Sequence, residues 1–153
     1  MAAKDIYHEH VRQALEKDGW KITDDPLKLP WAGTQVKIDL GAERQGEGLI
    51  SAEKGTRKIA VEIKSFVSRS RVDDLENALG QLRLYRHVLH LQQPERELYL
   101  AIREEVYQNF FSHPDVTAFL QVEQVRLLLF SPATEVILQW IDWTNTEPSS
   151  SEA

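Results

Sequence analysis

Arg57-Lys58-Ile59-Ala60-Val61-Glu62-Ile63-Lys64-Ser65 is the stretch that decides how this chain folds. Ile59, Val61 and Ile63 alternate with Lys58, Ala60, Glu62 and Lys64, the period-two signature of a strand with two different faces. The β-branched residues strengthen that expectation. Glu62 and Lys64 therefore point the same way, about 6–7 Å apart along the strand. A carboxylate and an ammonium within an apolar strand are costly to bury unless something uses them. The plain alternative is a surface ion pair on a half-exposed sheet.

Working outward, Val36 to Leu40 is a second short strand pattern, with Asp39 between two apolar residues. Glu53-Lys54-Gly55-Thr56 reads as a two-residue hairpin joining Leu49–Glu53 to Arg57–Ser65. An antiparallel meander would fold the Asp39 segment back toward Glu62, so that two acids and a lysine converge. Two carboxylates can hold Mg²⁺ or Mn²⁺ through oxygen, and a neighbouring lysine can stabilise charge or help activate water. Counted outward from a Lys54–Gly55 turn, however, the partner of Glu62 falls near Glu47. The glycine-rich stretch between Leu40 and Leu49 has to absorb about eight residues for Asp39 to reach the site. Glu43 and Glu47 remain possible substitutes for it.

Ala3 to Asp18 reads as a helix with Tyr7, Val11, Ala14 and Leu15 as its apolar stripe and Gly19 as its stop. At about 100° per residue His8 falls on the border of that stripe, and Glu9 lies almost opposite. His8 is thus the better candidate to face a site, the plain alternative being a hydrogen-bonded histidine at a core edge. Trp20 to Thr23 is a short strand ended by Asp24-Asp25-Pro26, which reads as turn chemistry more readily than as a metal site. Leu27 to Gly33 reads as a loop, with Trp31 packed over the sheet. Arg71 to Gln92 is the longest helix, with Leu75, Ala78, Leu79, Leu82, Tyr85 and Leu89 on its apolar face. Leu84, Val88 and Leu91 widen that face beyond one stripe, which predicts a second packing surface such as another subunit, in a homo-oligomer or a hetero-complex. Strand, helix and then Glu97–Ile102 make the βαβ crossover of an α/β core. Gln81 and Tyr85 sit four apart on one side of the helix. Helical pieces at Val106–Phe111 and Asp115–Leu120, broken by Ser112-His113-Pro114, lead to strands at Val125–Phe130 and Glu135–Ile141, with a turn at Ser131-Pro132-Ala133-Thr134. From Thr144 the chain is polar, Ser-rich and acidic and reads as a disordered tail.

With 153 residues the chain is long enough for one domain with a proper core, placed at residues 1–143. Neither a membrane-length apolar run nor a signal-like start is present. The absence of cysteine removes disulfides and thiolate metal sites and fits a cytoplasmic location. A net charge of −6 counts against a broadly basic DNA-binding surface, so any nucleic-acid site has to be a local patch.

The order Asp39, then Glu62-x-Lys64 on a hydrophobic strand resembles the PD-(D/E)xK nuclease superfamily, and Gln81-x-x-x-Tyr85 resembles the auxiliary motif of its RecB-like members. Residues 3 to 142 as a whole resemble the XisH family, the fdxN element excision controlling factors. The stretches that carry this are Ala3–His8, Asp18–Leu27, Ile38–Glu43, Ile59–Phe66 and the Leu-Tyr-Arg run ending at Arg86. The resemblance implies a restriction-endonuclease-like fold, a mixed sheet of four to six strands flanked by helices. It also implies a role in programmed, site-specific DNA excision beside a recombinase and a companion protein, XisI. In that role Asp39 and Glu62 would hold the metal, Lys64 would act on the phosphate or the attacking water, and His8 and Gln81 would support them. A regulatory module that binds partners without catalysing is the alternative. The Arg44–Gly48 excursion departs from the family's compact link.

Overall fold

The computed structural model describes residues 5–46 and 55–143. Six strands form one mixed sheet in the order β1-β4-β5-β6-β7-β8, and two more form a separate hairpin, β2-β3. In chain order the strands are β1 Lys21–Asp24, β2 Leu27–Trp31, β3 Thr34–Ile38, β4 Leu40–Gln45, β5 Thr56–Ile63, β6 Arg96–Arg103, β7 Arg126–Ser131 and β8 Val136–Ile141. The helices are α1 His8–Lys17, α2 Arg71–Gln92, a short α3 Glu104–Val106 that runs into a π-helical turn over Tyr107–Phe111, and α4 Pro114–Glu123. No helix among the described residues is long and apolar enough to cross a membrane.

The alternation in Arg57–Ser65 does what the residues require. Ile59, Val61 and Ile63 go to one side of the sheet, where they meet Val11 and Leu15 of α1, Trp20, and Phe130 of β7. Ala60 goes to the other, with Leu98, Leu100 and Ile102 of β6, and there α2 covers them with Ala78, Leu82, Tyr85, Val88 and Leu89. Strands β5 and β6 pair in parallel, with Lys58 level with Arg96 and Glu62 level with Leu100. This is the expected βαβ crossover through α2, whose first turn is capped by the Ser70 hydroxyl accepting from the Asp73 amide at 3.1 Å.

Three expectations need correction. Leu27–Trp31 is a strand, paired residue for residue with Thr34–Ile38 from Leu27↔Ile38 to Trp31↔Thr34. Ala32 and Gly33 make the turn with φ of 54° and 73°, the doubly positive pattern that a two-residue hairpin needs. Leu27, Leu29, Val36 and Ile38 of this hairpin join the core on the α2 side. The hairpin thus supplies one further surface for the broad apolar face of α2. Val88 is fully buried inside the chain, Leu84 packs half-buried on the same core, and Leu91 alone stays 62% exposed. Trp31 stacks edge-on against His87 of α2 and does not lie over the sheet.

The third correction concerns register. The partner of β5 is Leu40–Gln45, with Leu40 opposite Val61 and Gln45 opposite Thr56, and the Gly46 amide donates to the Gly55 carbonyl at 3.2 Å. The expected strand at Leu49–Glu53, Glu47 and the tail from Thr144 lie outside the described residues.

Candidate active site

Asp39 occupies the bend between β3 and β4, where the chain leaves the hairpin and enters the main sheet. Because Leu40 faces Val61, Asp39 comes level with Glu62. Two hydrogen bonds tie the corner down: the Asp39 amide donates to Glu62 Oε1 at 3.3 Å, and the Ile63 amide donates to Asp39 Oδ2 at 2.8 Å. Lys64 Nζ lies 3.4 Å from Glu62 Oε2. Glu62 is 5% exposed while Lys64 is half-exposed, so the acid pair opens toward solvent at the lysine end of β5.

Electrostatics at this corner are unresolved by the protein itself. Burial pushes the Glu62 carboxyl up to about 8, and the charge of Asp39 adds to the effect against the opposing pull of Lys64. Burial raises Asp39 too, partly offset by the Ile63 amide, the hydrogen-bonded Glu62 carboxyl and the Lys64 ammonium. Raised to about 8, Glu62 holds a proton at neutral pH beside the half-buried Asp39 and the Lys64 ammonium. Tyr85 of α2 is held well above the usual phenol range, by burial first and then by both carboxylates.

His8, on the first turn of α1, is 3% exposed. Its Nε2 meets Asp25 Oδ1 at 2.8 Å, and Arg12 Nη1 donates to Asp25 Oδ2 at 2.6 Å. The other ring nitrogen, Nδ1, is buried and has no hydrogen-bond partner among the described residues. With Nε2 protonated toward Asp25, Nδ1 is left as a lone-pair acceptor, a costly state in a dry place unless water or a ligand reaches it. Asp25 was readable only as turn chemistry before Pro26, so this orienting role had no sequence signal.

Of the remaining candidates, Gln81 is exposed, and no hydrogen bond among the described residues ties it to the acid pair, whereas Tyr85 one turn later senses both acids. Glu43 lies opposite Lys58, four positions from Glu62 and thus about 13 Å along the strand. Glu9 is exposed. The acid next to Glu62 is therefore Asp39.

No set of three or more His, Cys, Asp or Glu that could hold a metal occurs among the described residues. Two carboxylates nonetheless fit Mg²⁺ or Mn²⁺ chemically. Mg²⁺ commonly takes one or two carboxylates from protein and completes its shell with water and substrate phosphate. Carboxyls that repel each other without a matching cation are the donor set such an ion would relieve.

Fold and site together define a single-domain mixed α/β protein whose central sheet carries a buried glutamate beside a half-buried aspartate, with a lysine two residues on. The XisH protein family model matches residues 1–138, and the chain belongs to that family. An XisH family protein of Nostoc punctiforme, of known crystal structure, is 41% identical, with a TM-score of 0.79 over 90% of this chain and 100% of its own. A crystal structure described as an fdxN element excision controlling factor protein, from Anabaena variabilis, is likewise 41% identical with a TM-score of 0.79, covering 91% of this chain and all of its own. No curated protein matches the chain.

Proposed function

We propose that this protein is a metal-dependent, nuclease-like factor acting in site-specific DNA excision, with a core of the restriction-endonuclease type. One observation carries the reading: a buried Glu62 beside a half-buried Asp39, both carboxyls raised above their ordinary range next to the Lys64 ammonium. Asp39 and Glu62 would hold Mg²⁺ or Mn²⁺, which would supply charge to activate water and to stabilise the attacked phosphate and the departing sugar oxygen. Lys64 offers its ammonium to the developing negative charge. His8, oriented by Asp25, offers Nδ1 as an acceptor for a water proton, and Gln81 is the outermost supporting candidate. XisI and a recombinase are the partners that this reading expects.

The test begins with heat. A cation bound only by the folded state at a hundred times its Kd adds about 2.7 kcal/mol, or roughly 5–10 °C in Tm. Wild type should show that rise with Mg²⁺ or Mn²⁺, and Glu62→Gln should not. Branched, nicked and linear DNA should then be cut by wild type, while Lys64→Ala keeps the cation effect and loses about 10²–10³ in rate. Equal cutting by wild type and Glu62→Gln would expose a contaminant. No cutting at all would leave the non-catalytic regulatory module. That second reading is favoured by the internal pairing of Glu62 with Lys64 and by the lack of a third ligating side chain among the described residues.

A further inference from the structure

Away from the acid pair, a cavity of about 400 Å³ lies between the C-terminal half of α2, the start of β6 and the segment that follows α4. Leu82, Leu89, Leu98 and Val125 make its apolar lining, and Arg86, His90 and Arg126 stand among its walls. At Arg86, His90 and Gln124 it continues into a shallower groove that adds Arg83 and His87. For a chain of net charge −6 this is a concentration of cations against the trend.

The nearby carboxylates are already engaged. Glu97 meets Arg57 at 2.6 Å, Glu95 meets Lys58 at 4.0 Å, and Asp142 meets Arg126 at 3.3 Å. Glu123 receives Arg83 at 2.6 Å. Arg86 is different. Its hydrogen bond goes to the main-chain carbonyl of Glu123 at 3.1 Å and not to a carboxylate. Burial, and after it the neighbouring Arg126 and Arg83, lower its proton affinity against the pull of Glu123. A guanidinium carries five N–H donors in a fork that matches phosphate oxygens. Crowded by like charge, Arg86 makes one hydrogen bond among the described residues, to a neutral oxygen.

We infer that this groove is a phosphate-binding site in which Arg86 grips a phosphate of a nucleic-acid strand, with Arg83, His87 and His90 alongside. A phosphodiester presents two unesterified oxygens as acceptors to the guanidinium fork. The apolar lining of Leu82, Leu89, Leu98 and Val125 suits the sugar or base that accompanies the phosphate. A nucleotide in solution presents the same chemistry as a strand. The inference does not rest on cleavage and stands whether or not the acid pair is catalytic.

Fluorescence anisotropy with labelled single- and double-stranded oligonucleotides tests it on the full chain, without divalent cations. Arg86→Gln keeps an N–H for the Glu123 carbonyl while deleting the charge. It should weaken binding about tenfold, the scale of one lost charge-assisted hydrogen bond. The slope of log affinity against log salt should fall by about 0.7–0.9, one phosphate contact. Arg83→Gln, at a more exposed position, should move both readings the same way by less, and Lys28→Gln on the exposed face of β2 should move neither. Displacement by a mononucleotide or pyrophosphate at equal phosphate concentration identifies the small ligand as the source. Displacement by oligonucleotides only identifies the strand. Failure of wild type to bind any of these probes would overturn the inference. So would an Arg86→Gln protein with unchanged affinity and slope, or competition by polyglutamate as effective per charge as DNA.

Discussion

Two buried polar clusters sit toward opposite ends of β5, and the protein treats them differently. At the upstream end the Arg96 guanidinium, 8% exposed in its side chain, donates to the carbonyls of Ile59 at 2.8 Å and Ala42 at 3.4 Å, to Gln93, and to Asp24 at 3.3 Å. Its charge is spent on tying β4, β5 and β6 together. At the downstream end Glu62 and Asp39 sit together with one ammonium for two acids, and His8 Nδ1 has no hydrogen-bond partner among the described residues. Structural burial of charge ends in satisfied donors and acceptors, whereas the acid pair is left short of a counter-charge. That asymmetry is the strongest argument that the Glu62 end has a task other than stability.

The comparison is most directly broken at Arg96. Arg96→Met should cost about 2–4 kcal/mol, because it strands two strand carbonyls and one acid that the guanidinium had served. Urea unfolding measures this, and a loss below about 0.5 kcal/mol, the level of an ordinary surface change, would refute the structural role.

The pH dependence of Glu62 sharpens the contrast. Its folded pKa of about 8 lies above its ordinary value of 4.5, so the folded chain holds a proton that the unfolded chain has released. In chelator, wild-type stability should therefore fall relative to Glu62→Gln as pH rises from about 4.5 to about 8, by up to ~1.4 kcal/mol per pH unit. Parallel pH profiles would remove the frustration argued here. The same group predicts that Mg²⁺ or Mn²⁺ binding at pH 7 releases up to about one proton, read by calorimetry in buffers of different ionisation enthalpy. No buffer dependence would place the cation elsewhere.

The smallest effect belongs to Asp25. Asp25→Asn keeps the shape but weakens the grip of Arg12 and permits the other His8 tautomer, for about 1 kcal/mol in stability. Nitrogen-15 shifts of the His8 ring should show Nδ1 as the unprotonated nitrogen in wild type and a changed tautomer ratio in the variant. An unchanged ratio would remove Asp25 as the orienting group.

Much of this was legible from residue order alone. The α2 helix, the crossover to β6 and the final strands follow from strong periodicities, and Asp39, Glu62 and Lys64 converge because a two-faced strand fixes two of them. What could not be read was the β2–β3 hairpin. Pro26 and Pro30 argue against a strand there, and Ala32-Gly33 is a weak substitute for the asparagine–glycine turns that announce such hairpins. That omission left the broad face of α2 without the inner partner that the hairpin provides. The register of β5 was missed for a related reason: the Lys54–Gly55 signal is local, whereas Leu40 facing Val61 is set by burial of both β4 faces.

The hairpin also has a mechanical consequence. Leu27 and Ile38 pair at its base, and the residues just outside that base are Asp25–Pro26 on one side and Asp39 on the other. One root is anchored by His8 and Arg12, the other by Glu62 and the Ile63 amide. The twelve residues from Leu27 to Ile38 thus hang from the chemistry of the site like a flap on two hinges. A cation held by Asp39 and Glu62, as proposed, would stiffen one hinge, and slower amide exchange along β2 and β3 would record its arrival at a distance from the site itself.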